Sequence, residues 1–175
     1  MSWNEPTGSG MILILDDIWY RYLCSTYLGV ELSNSMLAIG CDHAGYSLKR
    51  SLMDSLSGGP YEFIDLGSHS EDPVDYPDIA SKMGELFTKG QVVTGILVCG
   101  SGIGISIAAN RFKSIRAALV HDRAAAISAR QHNDANVIVF GGRVIDEGLA
   151  IECLKIFLKT EFEGGRHQAR VLKLS

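Results

Sequence analysis

QVVTGILVCGSGIGIS, residues 91–106, is the stretch on which the fold turns. Its first half, Gln91 to Val98, is a short apolar run rich in β-branched residues, of the kind that becomes a fully buried parallel strand. Its second half opens a helix that the spacing carries from Ile103 to Phe112. Between them lie Cys99-Gly100-Ser101-Gly102-Ile103-Gly104, with glycines at alternate positions. Such a turn permits positive φ and close approach of a ligand, and a helix N-terminus offers unpaired N–H groups and a positive dipole end to an anion. At that end Cys99 is a candidate proton acceptor or nucleophile, although a cysteine closing a buried strand is also often only a small hydrophobe. The glycines alone read weakly as a dinucleotide fingerprint. They give G-x-G-x-G rather than G-x-G-x-x-G, after the third clear strand instead of the first.

On either side the chain alternates strand and helix from Met36 onward, which predicts a doubly wound parallel sheet flanked by helices, with five strands. The strands are MLAIGCD (36–42), YEFIDLGS (61–68), the run before Cys99, RAALVH (116–121) and VIVFGG (137–142). The helices run from Gly45 to Leu56, around Ile79, Met83 and Leu86, from Ile103 to Phe112, from Asp122 to about Gln131, and from about Asp146 to Thr160. The last of these carries so many apolar residues (Leu149, Ile151, Leu154, Ile156, Phe157, Leu158) that a partner subunit is expected on the side away from the sheet. The tail EFEGGRHQARVLKLS brings Arg166, His167 and Arg170 after a Gly164-Gly165 hinge.

With 175 residues, 46% of them hydrophobic, the chain has material for one well-buried domain and is short for two. A net charge of -4 offers no general basic surface for nucleic acid or an acidic membrane. Cysteines at 24, 41, 99 and 153 form neither a C-x-x-C pair nor a zinc-type spacing, and read as reduced thiols in the cytoplasm. No apolar run reaches the ~18 residues of a membrane span. Residues 1–35 differ from the rest: a polar opening, then an apolar and aromatic stretch in which Ile18 with Tyr22 and Trp19 with Leu23 could share a short helical face. The expectation is an extension outside a single domain of residues 36–175. Met36, just before the first strand, is an alternative native start, which N-terminal sequencing would decide.

Ligands of parallel α/β sheets gather beyond the carboxyl ends of the strands. There the sequence sets Asp42 and His43 after the first strand, Cys99 and the glycine loop after the third, His121 and Asp122 after the fourth, and Arg143 after the fifth. His132 and Asn133 precede the fifth strand and belong nearer its amino end. Each has a structural alternative: Asp42 as a helix cap, His132 as a helix C-terminal residue, Arg143 as a partner of Asp146. Together, an acid, a thiol, imidazoles and guanidinium groups suit proton transfer on a small phosphorylated substrate.

The segments GCDHAGYSLK (40–49), DYPDIA (75–80), GILVCGSGIGISIAANRFKSIRAALVHD (95–122), ARQHNDANVIVFGGRV (129–144) and EGGRHQAR (163–170) closely resemble type B ribose-5-phosphate isomerases, in order and with natural spacing from Met36 to the C-terminus. The family also includes galactose-6-phosphate and allose-6-phosphate isomerases. The resemblance implies a three-layer Rossmann-like sandwich and a cofactor-free, metal-independent aldose–ketose isomerisation of ribose 5-phosphate and ribulose 5-phosphate through a cis-enediolate. It implies Cys99 as the base, Ser101 assisting at the substrate oxygens, and the amides of Gly100, Gly102 and Gly104 holding the enediolate. It further implies His132 as the ring-opening group, Asn133 and Asp42 positioning sugar hydroxyls, Tyr76 lining the pocket, and His43, Arg143, Arg166 and Arg170 binding phosphate. The site would be shared in a homodimer or dimer of dimers, with Cys99 and His132 expected from one chain and His43, Arg166 and Arg170 from another. A hexose-phosphate isomerase and a non-catalytic phosphosugar-binding module are the alternatives.

Overall fold

A computed structural model describes residues 36–174; the expected helical face within residues 1–35 and the question of Met36 as a start lie outside them. The chain forms β1 (Met36–Cys41), a 3-10 turn (His43–Gly45), α1 (Tyr46–Ser55), β2 (Glu62–Asp65), α2 (Tyr76–Thr88), β3 (Gly95–Cys99), α3 (Ile103–Ala109), β4 (Ala117–Leu119), α4 (Arg123–Gln131), β5 (Val137–Gly141), α5 (Glu147–Lys159), a second 3-10 turn (Gly165–His167) and α6 (Gln168–Val171). The five strands make one all-parallel sheet in the order β2-β1-β3-β5-β4. Helices cover both faces, as the alternation predicts.

The register explains where ligands can sit. β1 pairs with β3 from Ala38↔Gly95 to Cys41↔Val98, and β3 pairs with β5 from Gly95↔Val137 to Cys99↔Gly141. From β1 the chain moves outward to β2, and from β3 it moves the other way, so the crevice between the carboxyl ends of β1 and β3 is the switch point of the sheet. One core packs Leu37, Ile39, Leu52, Ile96, Val98, Ile138, Phe140, Leu154 and Phe157 against α1, α4 and α5. The other packs Ala38, Ile79, Met83, Leu97, Ile105, Val137 and Val139 against α2 and α3.

The elements are shorter than the periodicity suggests. β3 starts at Gly95 because Gln91 is still closing α2, its N–H donating to the Leu86 carbonyl at 3.0 Å. α3 stops at Ala109 because the Asn110 side chain takes over: its Nδ2 donates to the carbonyls of Ser106 and Ala117, and its Oδ1 accepts from the Ala117 N–H, tying the helix end to the start of β4. The apolar surplus of α5 also has a different use from the one expected. Ala150, Cys153, Leu154 and Phe157 are buried, Leu149, Ile151, Ile156 and Leu158 pack against the same core, and α1 and α4 of the same chain flank the helix. The exposed apolar residues near the switch point are instead Tyr76 and, one turn apart on α3, Ile103 and Ile107, at 55% and 53% exposure.

Candidate active site

Cys99 ends β3, 4% exposed, and its sulfur accepts the Gly102 N–H at 3.1 Å. Gly102 holds φ +77°, and a Cβ there would stand 2.4 Å from Leu119 Cδ1 and 3.0 Å from the Gly141 amide nitrogen. Only glycine fits both the backbone and the space. The loop is fastened to β5 by Gly142 N–H donating to the Cys99 carbonyl at 2.8 Å and Arg143 N–H donating to the Gly100 carbonyl at 3.0 Å. These bonds bring the exposed Arg143 side chain over the loop, its guanidinium 3.7 Å from where a Gly100 Cβ would be. Asp146 is not its partner; the carboxylate caps α5 by accepting the Leu149 N–H. Ser101 is exposed, and its hydroxyl oxygen accepts the Ile103 N–H at 3.3 Å, which leaves the hydroxyl proton free to donate outward.

Opposite this loop, across the switch point, Asp42 follows β1. It is 7% exposed and caps the 3-10 turn, Oδ1 accepting the Gly45 N–H at 3.0 Å, so one carboxylate oxygen does structural work. The half-buried His43 accepts the Val74 N–H on Nδ1 at 3.4 Å. In the neutral ring the proton is then on Nε2, a free donor. That bond anchors the segment leading to Tyr76, whose ring lies on the glycine loop: a Cβ at Gly104 would be 2.6 Å from its Cζ.

Asp42, His43, Tyr76, Cys99, Gly100, Ser101, Gly102, Gly104 and Arg143 thus share one end of the sheet. His132, Asn133, Arg166 and Arg170 do not join them. α4 begins after the carboxyl end of β4, capped by Asp122 accepting the Ala125 N–H, and runs back to His132 as its C-cap; nine helical residues span about 14 Å. A few residues on, the Asn136 and Val137 N–H groups donate to the Arg116 carbonyl at the amino ends of β4 and β5. Asn133 lines a groove of about 450 Å³ there, with Arg111, Lys113, Arg116 and Leu174. α5 returns to the same end, where the Glu163 N–H donates to the Gln131 carbonyl at 3.1 Å and seats the tail beside His132. The expected division of residues is therefore corrected: His43 accompanies Cys99, and His132 accompanies Arg166 and Arg170. The physical reason is the antiparallel return of α4 and α5, which places whatever ends either helix at the opposite edge from the strand tips. His121, at the tip of β4, is exposed and stands 4.0 Å from Asp122.

Three structural supports escaped the residue-by-residue reading. Lys49, 1% exposed, donates from Nζ to both Asp65 oxygens (2.6 and 2.8 Å) and to the Ser68 carbonyl (2.7 Å), holding the segment beside Asp42. Its signal was a lysine among Leu48 and Leu52 on a buried helix face. Asp134, at φ +44°, takes Arg116 on Oδ2 at 2.8 Å and Arg130 on Oδ1 at 2.9 Å, fixing the loop after Asn133. His167, 7% exposed, stacks on the His132 ring with centroids 4.5 Å apart and planes 8° from parallel. Burial, with His132, Arg166 and Arg170 nearby, lowers its pKa below the ordinary 6.5, against the raising effect of Glu163.

The sequence model of the ribose/galactose isomerase family matches residues 37–174. Ribose-5-phosphate isomerase B of Escherichia coli is 45% identical over 135 residues, covering 77% of this chain and 91% of that protein. Among solved structures, ribose-5-phosphate isomerase B of Clostridium thermocellum is 46% identical with a TM-score of 0.77, over 79% of this chain and 94% of the other. That of Mycoplasma genitalium, solved with bound ribulose-5-phosphate, is 37% identical with a TM-score of 0.75, over 79% and 93%. A glycine loop after β3 with a thiol held on its amide, in a fold shared at this identity over nearly the whole length of these relatives, identifies the chain as a member of the ribose/galactose isomerase family.

Proposed function

We propose that this chain interconverts D-ribose 5-phosphate and D-ribulose 5-phosphate, without a metal or organic cofactor. The observation that carries the reading is the Cys99 sulfur on the Gly102 N–H at the switch point of the sheet, with Arg143 across the loop. In the open-chain aldose, Cys99 takes the proton from C2 and returns it to C1. Ser101 moves the proton between the two oxygens, and the amides of Gly100 and Gly104 face the cis-enediolate, the expected Gly102 amide being already held by the Cys99 sulfur. Donors that strengthen as the oxygen gains charge are worth about 3 kcal/mol each to the barrier. Asp42 and Asn133 orient hydroxyls, Tyr76 closes the pocket, and His132 opens the furanose ring. His43, Arg143, Arg166 and Arg170 bind the phosphate, supplying binding energy remote from the reacting carbons.

One site combines Asp42, His43, Tyr76, Cys99, Ser101 and Arg143 of one copy with His132, Asn133, Arg166 and Arg170 of a second. The separation of the two groups within a chain supports this, as does the exposed apolar pair Ile103 and Ile107 beside the glycine loop. The domain comprises residues 36–175, with residues 1–35 outside it, a division supported by the family match at 37–174. The protein acts in the cytoplasm: Cys41, Cys99 and Cys153 are free thiols, and no helix among the described residues is long and apolar enough to cross a membrane.

The test is turnover of ribose 5-phosphate, allose 6-phosphate and galactose 6-phosphate by the purified chain after EDTA treatment. The expected result is full activity, highest kcat/KM for the pentose, and a kcat about 10²–10⁴-fold lower in Cys99→Ala with sugar-phosphate binding retained. Tight binding without turnover makes the chain a phosphosugar sensor, loss of activity with EDTA overturns the metal-free chemistry, and a preference for galactose 6-phosphate overturns the pentose.

A further inference from the structure

We infer that His167 is a positioning residue for furanose ring opening: by stacking on His132 it aims that imidazole at the ring to be opened. This rests on the isomerase reading and on His132 as the ring-opening group. The stack itself is an observation independent of both.

The two rings are nearly parallel, at 4.5 Å between centroids. His132 ends α4 as its C-cap and is only half-buried, so the helix alone leaves its side chain rotatable. His167 supplies a rigid platform, buried in the tail turn, its Nε2 accepting from Arg166 Nε at 3.3 Å and standing 3.8 Å from Glu163 Oε2. The charged and titratable groups facing it are His132 from the end of α4 and Glu163, Arg166 and Arg170 from the tail. Three of these four oppose a positive charge on His167 and Glu163 favours it, and with burial the balance lowers its pKa.

Opening a furanose moves one proton from the anomeric hydroxyl to a base and another from an acid to the ring oxygen. His132 does both by passing through its cationic form, and no proton is gained or lost overall. The stacked His167 ring restrains His132 against rotation, which matters because a misplacement of about 1 Å costs on the order of a hundredfold in rate.

The experiment compares each variant with the unmodified chain on two substrates, one that must be opened and one that cannot close into a furanose. Ribose 5-phosphate is cyclic in solution. 4-Deoxyribose 5-phosphate lacks the hydroxyl that closes the furanose and enters as an open chain. His167→Ala is expected to lose about ten- to a hundredfold in kcat on ribose 5-phosphate while changing less than about threefold on the 4-deoxy substrate. His167→Phe, which keeps a flat ring on His132, is expected to recover most of the difference. An equal loss on both substrates by a folded His167→Ala variant, or a His167→Phe variant as selective in its loss as His167→Ala, overturns the inference. If His167→Ala does not fold, the selectivity of His167→Phe against that of His132→Phe decides: matching ratios overturn the inference, a near-normal ratio in His167→Phe supports it. Failure of the isomerase reading is separate and visible, because the unmodified chain would then turn over neither substrate.

Discussion

The glycines of the Cys99 loop differ in what forbids a side chain, and the difference is measurable. At Gly102 an alanine meets a positive φ of 77° as well as Leu119 and the Gly141 backbone. Gly102→Ala is expected to cost about 2–4 kcal/mol in chemical denaturation and to abolish activity, since the amide that donates to Cys99 moves with the strain. At Gly104 the new methyl meets only the outer edge of the Tyr76 ring, which is 39% exposed and can swing away. Gly104→Ala should therefore unfold within about 1 kcal/mol of the native chain while losing turnover, because the pocket wall has shifted. Equal destabilisation by the two substitutions would contradict this assignment. Cysteines divide in the same way: burial raises Cys41 to about 11, leaving it a thiol at neutral pH without the amide donor that Cys99 has. At the residue scale the sequence was most legible where a residue's job is local. Cys99, the glycines and the Asp caps could be read from their neighbours, whereas Lys49 and Asp65 had to meet from elements 16 positions apart before their pairing was visible.

At the scale of elements, the strand–helix alternation was legible because the central strands β1, β3 and β5 are runs of mostly buried apolar residues and the Asp122 and Asp146 caps mark two helix starts. Strand ends were not. β4 has three residues because it is an edge strand, hydrogen-bonded to β5 alone, so nothing holds its outer residues in the ladder. The seating of the tail against the end of α4 depends on long-range bonds that no periodicity encodes: Glu163 to Gln131, Arg130 Nε to the Thr160 carbonyl at 3.3 Å, and the His132–His167 stack. This junction carries a pH dependence. His167 has a folded-state pKa below its ordinary 6.5, so the folded ring is neutral where the unfolded one already takes up a proton. Its contribution to stability is present above the ordinary histidine range and declines as the pH falls through it toward the folded-state value. Between about pH 7.5 and 5 the Tm of the native chain should fall more than that of His167→Phe, which has no proton to bind. Parallel profiles would show that His167 titrates as it does in the unfolded chain.

At the scale of the whole molecule, the fold separates the two groups of residues that the proposed reaction joins. β1, β3 and β5 present His43, the thiol and Arg143 at their carboxyl ends, while α4 and α5 carry His132, Arg166 and Arg170 back to the amino ends. Sequence order gave warning of this only for His132, because a residue just before a parallel strand starts at the wrong end of it; the tail could have folded to either edge. In the proposed shared site, each of two copies supplies the half that the other lacks. Cys99→Ala chains and Arg170→Ala chains should then each be inactive alone, the first for want of a base and the second for want of a phosphate anchor. Mixed and allowed to exchange subunits, they form heterodimers in which one site carries both lesions and the other carries neither. At equal amounts about half of the dimers are mixed and each has one intact site, so the activity recovered should approach one quarter of the native value. Ile107→Asp, placing a charge on the exposed apolar pair of α3, should lower both the apparent mass in solution and this recovery without reaching Cys99 itself. A mixture whose subunits have demonstrably exchanged and which stays as inactive as its parents would mean that the thiol and the tail arginine serve the same chain's site. The roughly 14 Å return of α4 would then have to be bridged by a movement of the tail within one copy.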